Sequence, residues 1–167
     1  MPSRDDHYVT EFSRTQRHLP HHEGIGETYF VCICLRRPPV VDLTEPHVAQ
    51  MLIDSLLYFD VSRYVLFDYV VMPDHVHMII EPVVCDGRAE RITHVMRSLK
   101  SWTAKRINEM KGRRGHVWQE DAYDHIIRNG EDYLEKSTYI FNNPMVAGLV
   151  RNPADWPWWG RGSGRIR

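Results

Sequence analysis

The chain has 167 residues, of which 43% are hydrophobic and 26% are charged. This composition predicts a folded protein and excludes an intrinsically disordered one, and the length favours a single domain over residues 1–167. The net charge of −1 gives by itself no indication of a nucleic-acid partner.

Targeting segments and disulfides are not indicated by the sequence. No run of about 18 apolar residues predicts a transmembrane helix, and the polar N-terminal arm, residues 1–26, lacks the apolar core of a signal peptide. Cys32, Cys34 and Cys85 form no C-x-x-C pair and lie in apolar, strand-like segments, which favours reduced core thiols over disulfides or zinc ligands. We therefore expect a cytoplasmic protein with no membrane partner.

The predicted elements alternate in the order strand, helix, strand, strand, helix, strand, followed by one more helix. They are a strand in ETYFVCICLRRP (27–38), a helix in EPHVAQMLIDSLLYFD (45–60), two strands joined at Pro73-Asp74 and a helix from Arg88 to Met110. One or two short strands within 116–128 follow, and then a helix over 129–144 that ends at Pro144. A tail rich in Trp and Pro, residues 145–167, is expected to pack back on the body. Trp102 falls on the apolar side of its helix and is predicted to be in the core.

This order of elements predicts an α+β fold. We expect a ferredoxin-like split βαβ sandwich over residues 27–128, with an antiparallel central sheet and helices on one face. The helix over residues 129–144 is an addition to that core.

The stretch VVMPDHVHMII, residues 70–80, places two histidines in an otherwise apolar strand. Because side chains alternate between the faces of a strand, His75 and His77 share one face, and Val76 and Met78 share the other. The two histidine backbones are then about 7 Å apart, which lets both rings converge on one cation. A structural zinc site would need further Cys or His nearby, so a catalytic divalent ion is favoured over a structural zinc, and with an oxygen donor that ion could be Mg²⁺ or Mn²⁺. The alternative is a pair of core histidines held by hydrogen bonds.

The last predicted helix carries a tyrosine and an asparagine one turn apart. Tyr139 and Asn143 are four residues apart and lie on the same helical face, whereas Tyr133 lies roughly 120° away. A phenol of ordinary pKa, about 10, is a poor nucleophile at neutral pH. It becomes effective where a metal ion stabilises the charge that develops on a phosphate under attack. Without the histidines, Tyr139 would be interpreted as a core aromatic residue.

Positive charge is concentrated in one segment although the whole chain is nearly neutral. Nine basic residues lie between positions 88 and 114, namely Arg88, Arg91, Arg97, Lys100, Lys105, Arg106, Lys111, Arg113 and Arg114, against two acidic ones, Glu90 and Glu109. Such a segment suits local phosphate binding, and a solvated helix face explains it equally well.

Three motifs together resemble a known family. MPDHVHMII, VWQEDAYDHIIR and YIFNNPMVAGLV, in this order and spacing, resemble the single-tyrosine HUH transposases, also called IS200-like, and most closely the repeat-associated tyrosine transposases. The resemblance extends from about Glu27 to Trp158. It implies a nucleophilic Tyr139, a metal pair formed by His75 and His77, a third ligand in Asn143, and supporting roles near the active site or DNA for His125 and Arg128. For His125, a hydrogen-bonded sheet histidine is the alternative.

The resemblance also implies a reaction. Hairpin-bearing single-stranded DNA would contact Arg97, Lys100, Lys105 and Arg106 through its phosphates, and Mg²⁺ or Mn²⁺ would lie at the histidine pair. Tyr139 would then cleave and rejoin the strand through a covalent 5′-phosphotyrosine. The sequence leaves open whether the protein is a homodimer or a monomer, and which hairpin it recognises.

Three other functions stay open at this point. A metal-dependent nuclease could use water instead of Tyr139, and a cleavage-inactive relative could bind hairpin DNA alone. An RNA-binding ferredoxin-like module ranks lower, because the central strands carry histidines in place of an exposed aromatic pair.

Overall fold

The computed structural model of the chain describes residues 26–164. Its strands are β1 (Thr28–Cys34), β2 (Tyr64–Val71), β3 (His75–Pro82), β4 (Val84–Cys85), β5 (Arg88–Ala89), β6 (Tyr123–Ile127) and β7 (Trp159–Arg161). Its helices are α1 (Pro46–Phe59), α2 (Ile92–Met110) and α3 (Gly130–Val146), with a 3₁₀ turn at Pro153–Asp155. The predicted polar arm, except its last residue, and positions 165–167 of the predicted tail lie outside the described residues.

The main sheet contains five strands in the order β6-β1-β3-β2-β7. Every neighbouring pair is antiparallel, so the predicted α+β class and antiparallel central sheet are confirmed. The fifth strand, β7, pairs with the edge of β2 and was not predicted. It comes from the Trp-rich tail, which therefore does pack back on the body.

The sheet has a helical layer on each face. Val31, Met78 and their neighbours pack with the apolar stripes of α1 and α2 to form the larger core. Phe30 and Ile79 point to the other face and pack against Ile140 of α3. Because strand side chains alternate, this second face is the one that also receives His75 and His77.

Three local predictions were wrong. Helix α2 begins at Ile92 instead of Arg88, because Asp86-Gly87, both with positive φ, turn the preceding residues into the β4–β5 hairpin. Cys85 is consequently exposed and is not a core residue. Helix α3 continues two residues beyond Pro144, since a proline this close to the end of a helix removes only one of its hydrogen bonds.

Trp102 is also placed differently from the prediction. Its side chain is 49% exposed, because the buried stripe of α2 runs through Leu99, Thr103 and Ile107 and Trp102 lies beside that stripe. The Arg106 guanidinium lies 6.0 Å from the centre of its ring. Among the described residues, no helix is long and apolar enough to cross a membrane.

Candidate active site

The two histidines are positioned by the turn that joins β2 to β3. His75 is the first residue of β3, directly after Pro73-Asp74, and the backbone N–H of Met72 donates to its carbonyl (2.9 Å). In the register with β1, His75 lies opposite Cys34 and His77 opposite Cys32. Both imidazoles are buried on the same face, and their ring centres are 4.6 Å apart. The predicted common face of the two histidines is confirmed, and their rings lie next to each other.

An aromatic cluster surrounds His77. Its ring stacks on Phe30 with 5.2 Å between centres and an interplanar angle of 24°. The ring of Tyr139, from α3, meets His77 edge-on at 5.3 Å and Phe30 at 5.9 Å. The structure therefore brings the predicted nucleophile and the histidine pair together, although the nucleophile comes from a helix and the histidines from the sheet beneath it. Phe30 is a contact that sequence reasoning missed.

His77 carries two ring nitrogens, both buried, that lack a hydrogen-bond partner within residues 26–164. Burial and the neighbouring His75 lower the pKa of His77 well below its usual value, so the ring is neutral at pH 7. A buried polar atom without a partner is energetically costly, and a neutral imidazole is a good metal ligand. The donor set at this pair therefore fits a divalent cation.

His75 has a partner on its other nitrogen. Its Nδ1 lies 2.8 Å from Asp74 Oδ1, and Arg37 Nη2 donates to Asp74 Oδ2 at 2.8 Å. The hydrogen bond with His75 lowers the pKa of the Asp74 carboxyl. From the sequence, Asp74 was predicted only as a turn residue. An acid directly before H-x-H is the sequence signal that could have predicted its contact with the histidine.

Helix α3 holds Tyr139 and Asn143 over the sheet. Ile140 is fully buried between them and packs on the Phe30 face, which fixes the rotation of the helix about its axis. Asn143 is buried and Tyr139 is half-buried. Among the described residues no cluster of three or more His, Cys, Asp or Glu could hold an ion, so a third protein ligand would have to be of another type, such as the Asn143 amide.

Two anchors fix the N-terminal half of α3. On the β2 side, Tyr133 Oη donates to the fully buried carboxylate of Asp68 (2.6 Å). Arg161 of β7 donates to the other oxygen of Asp68 (3.0 Å). Asp68, missed from the sequence, thus joins three elements.

The second anchor lies on the β6 side and involves two predicted site residues. His125 Nε2 is 3.4 Å from Asp132 Oδ2, and the backbone N–H of Arg128 donates to the same oxygen (3.1 Å). His125 shares the sheet face of Phe30, its register partner, and its imidazole contacts Asp132 at the start of α3. The Arg128 side chain is exposed. These contacts place both residues where they steady the tyrosine helix.

Two thiols on β1 lie next to the histidine pair of β3. The sulfurs of Cys32 and Cys34 are 3.5 Å apart. This hydrogen bond lowers the pKa of Cys34 to about 7, while it and burial raise the pKa of Cys32 well above its usual value. Both thiols are free, as expected from the sequence.

The predicted DNA-contacting residues lie on α2, in the layer on the opposite face of the sheet from His77. A groove of about 850 Å³ runs between α2 and residues 113–124, and Arg97, Lys100 and Lys105 line it. Lys100 donates to the carbonyl of Glu120 (2.6 Å). Arg106 does not line the groove and pairs instead with Glu109 (2.9 Å). Further basic lining comes from Arg113 and Arg114, which the sequence analysis had counted but not proposed as DNA contacts.

Comparison with known proteins identifies the family. The model of the family described as "Transposase IS200 like" matches residues 28–143. This chain belongs to the IS200-like transposase family. A REP-associated tyrosine transposase of Escherichia coli K12 is 31% identical over 134 residues, covering 79% of this chain and 74% of that protein. A protein of Haemophilus influenzae is 30% identical over 94 residues, so the match spans about half of either chain (53% of each).

Solved structures of relatives give the same fold. A REP-associated tyrosine transposase bound to a REP hairpin superposes with a TM-score of 0.69 at 26% identity, covering 84% of this IS200-like chain and 80% of that one. A chain from Deinococcus radiodurans superposes with a TM-score of 0.50 at 19% identity, over 74% of this chain and 95% of that one. The second likeness shows a common fold only.

Proposed function

We propose that this protein is a metal-dependent transposase that cleaves and rejoins hairpin-bearing single-stranded DNA through a covalent 5′-phosphotyrosine at Tyr139. The observation that carries the proposal is the approach of Tyr139 to His77, with 5.3 Å between ring centres, where both nitrogens of His77 lack a partner in the described part of the chain. Membership of the IS200-like family supports it. We assign the β6-β1-β3-β2 sheet with α1 and α2 to the ferredoxin-like split βαβ fold.

The proposed cofactor is Mg²⁺ or Mn²⁺, held by His75, His77 and Asn143. When bound there, the ion would polarise the scissile phosphate and offset its developing negative charge. Mg²⁺ usually retains several waters and takes few protein ligands, so two imidazoles and one amide would leave positions for water and for the phosphate. Buried Phe30 and half-buried Tyr139 shield one side of this pair from bulk water.

Tyr139 performs the bond exchange in this proposal. Its phenolic oxygen forms a bond to phosphorus and loses its proton, while the bond from phosphorus to the 3′-oxygen breaks and that oxygen gains a proton. The phosphodiester is thus exchanged for a phosphotyrosine ester, and attack by another 3′-hydroxyl can reverse the step without ATP. The anchors at Asp68 and Asp132 hold α3, so Tyr139 is presented in one orientation.

All four proposed site residues come from a single chain. Helix α3 packs on its own sheet through Ile140, so a second copy is not required to complete the site, and we propose that the monomer is competent. The related structure described above was solved with a REP hairpin, and we propose a DNA hairpin as the partner of this chain. The basic groove along α2 is the proposed phosphate-binding surface, reached around the β6 edge of the sheet.

Adduct formation tests the proposal. Single-stranded hairpin DNA labelled at the 5′ or 3′ end is incubated with the protein and Mg²⁺ or Mn²⁺, then resolved on a denaturing protein gel. We expect a protease-sensitive adduct carrying only the 3′-end label, because the tyrosine keeps the downstream 5′-phosphate. It should vanish in Tyr139→Phe and in His75→Ala/His77→Ala and persist in the matched control Tyr58→Phe, an exposed tyrosine on α1. Cleavage that survives in Tyr139→Phe without an adduct would contradict the proposal in favour of a nuclease that uses water.

A further inference from the structure

The two histidines of the pair are held in different ways. The His77 ring is packed among aromatic neighbours, since it stacks on Phe30 and Tyr139 meets it edge-on, and no described residue bonds its nitrogens. His75 is instead held through one nitrogen, by the hydrogen bond of Nδ1 with Asp74 Oδ1 at 2.8 Å. The polar partner of His75 therefore decides which of its two nitrogens is left for another ligand.

The chemistry of Asp74 determines the direction of this hydrogen bond. An aspartate carboxyl is ordinarily ionised at neutral pH, and an ionised carboxylate only accepts hydrogen bonds, as Asp74 does from Arg37 through its other oxygen. The proton between the two groups must then belong to Nδ1 of His75. In a neutral imidazole the remaining nitrogen, Nε2, carries the lone pair.

Arg37 fixes the carboxylate itself. Its guanidinium donates to Asp74 Oδ2 (2.8 Å), which leaves Oδ1 directed at His75. The backbone contributes as well, because the N–H of Leu35 donates to the Asp74 carbonyl (2.8 Å) and ties the turn to the end of β1. Arg37 is 61% exposed, so its own contribution is smaller than that of Asp74.

We propose that Asp74, held by Arg37, is a positioning residue that keeps His75 in its Nδ1–H tautomer, with Nε2 open for the divalent cation. This inference rests on the proposed function for the identity of the ligand, but the tautomer itself does not depend on it. A ligating histidine that donates its second N–H to a carboxylate is better oriented and more basic, and loss of such a partner commonly lowers metal affinity 10- to 100-fold.

The tautomer is measured directly in the metal-free protein. Full-length chain labelled with ¹⁵N-histidine is treated with a chelator, and long-range ¹H–¹⁵N correlation spectra are recorded at pH 8. The His75 signals are assigned by their loss in His75→Gln. We expect wild type to show a protonated Nδ1 and an unprotonated Nε2 at His75. Asp74→Ala should lose this pattern, and Asp74→Asn should retain it in part, because its amide oxygen can still accept the hydrogen bond.

Calorimetric titration with Mn²⁺ provides the second measurement. We expect Asp74→Ala to weaken binding 10- to 100-fold, Asp74→Asn and Arg37→Gln to weaken it less, and the matched control Arg36→Gln to leave it unchanged. Unmoved signals from His47 on α1 and His94 on α2, away from the histidine pair, establish that each variant is folded.

The outcomes separate the two proposals. An Nε2–H tautomer or an imidazolium at His75 in wild type would overturn the positioning role, as would an Asp74→Ala variant that keeps both the wild-type pattern and the wild-type affinity. Failure of wild type to bind Mn²⁺ or Mg²⁺, with the expected tautomer present, would overturn the metal site of the proposed function and leave the role of Asp74 in setting the tautomer intact.

Discussion

Replacing Asp68 by alanine tests how the tyrosine helix is held on the sheet. Asp68 is fully buried, and its two oxygens accept hydrogen bonds from Tyr133 of α3 (2.6 Å) and from Arg161 of β7 (3.0 Å). The substitution removes a side chain that bonds to both elements at once. It leaves the phenol of Tyr133, whose pKa is raised by burial and by Asp68, protonated and without its acceptor.

The expected loss can be estimated from these contacts. A hydrogen bond to a charged group contributes about 1.5–3 kcal/mol, and we assign this value to the Tyr133 contact. The Arg161 side chain is 64% exposed and can be rehydrated, so its pair contributes about 0–1 kcal/mol. Removing a buried carboxylate also removes its desolvation cost. We therefore expect Asp68→Ala to lower the free energy of unfolding by about 2–3 kcal/mol, and Asp68→Asn by less, since the amide oxygen still accepts from Tyr133.

Urea unfolding measures the global effect, and amide hydrogen exchange of α3 measures the local one. Exchange should accelerate in the first turns of α3, next to Tyr133, while β1 and β3 keep their protection. Asp54→Ala, an exposed carboxylate on α1 that accepts from Gln50, is the matched control and should change stability by less than about 0.5 kcal/mol. An Asp68→Ala protein that is as stable as this control and shows unchanged exchange in α3 would refute the anchoring argument.

Three further predictions follow from the charges of the site and groove. Burial lowers the pKa of His77 in the folded state, so at mildly acidic pH the unfolded chain binds a proton at this histidine that the folded chain does not. The free energy of unfolding of the metal-free protein, measured by urea titration, should therefore fall as the pH drops below about 6.5. A His77→Phe variant that keeps this decline would contradict us. Since the pKa of Cys34 is about 7, iodoacetamide at pH 7.5 should modify Cys34 before Cys32. Peptide mass spectrometry of a Cys85→Ser variant measures the two rates of modification. Equal rates would count against the difference in pKa between the two thiols. Lys105→Ala should weaken the binding of hairpin DNA. It should also reduce, by about one, the slope of the logarithm of the binding constant against the logarithm of the salt concentration. An unchanged slope would show that Lys105 does not contact a phosphate.

The strands and the histidine pair were predictable because local patterns decide them. Alternation of apolar residues identified β1, β2 and β3, and the Pro73-Asp74 turn located the start of β3. Since the side-chain period of a strand is two, the common face of His75 and His77 followed directly. The four-residue spacing of Tyr139 and Asn143 placed them one turn apart on a helix, as observed.

Contacts between distant elements could not be predicted in this way. The bond from Tyr133 to Asp68 joins residues 65 positions apart, and nothing in the alternation of β2 distinguishes a buried carboxylate from a solvent-facing one. The β7 strand is three residues long, too short for a period to be recognised. Helix α2 was predicted to begin too early because Asp86-Gly87 was not interpreted as a turn. Trp102 was predicted to be buried because the spacing of apolar residues defines the buried stripe of a helix only to within one neighbouring position.

The central claim is that Tyr139 becomes covalently joined to DNA. Trypsin cleaves after Lys136 and Arg151, which gives a peptide of residues 137–151 with Tyr139 as its single tyrosine. Protein incubated with hairpin DNA and Mn²⁺ is digested with nuclease and trypsin, and the peptide is analysed by tandem mass spectrometry. We expect a nucleotide phosphate on Tyr139, joined through the 5′-phosphate and absent without Mn²⁺. DNA that is cleaved while this peptide stays unmodified, or an adduct on any other residue, would contradict it.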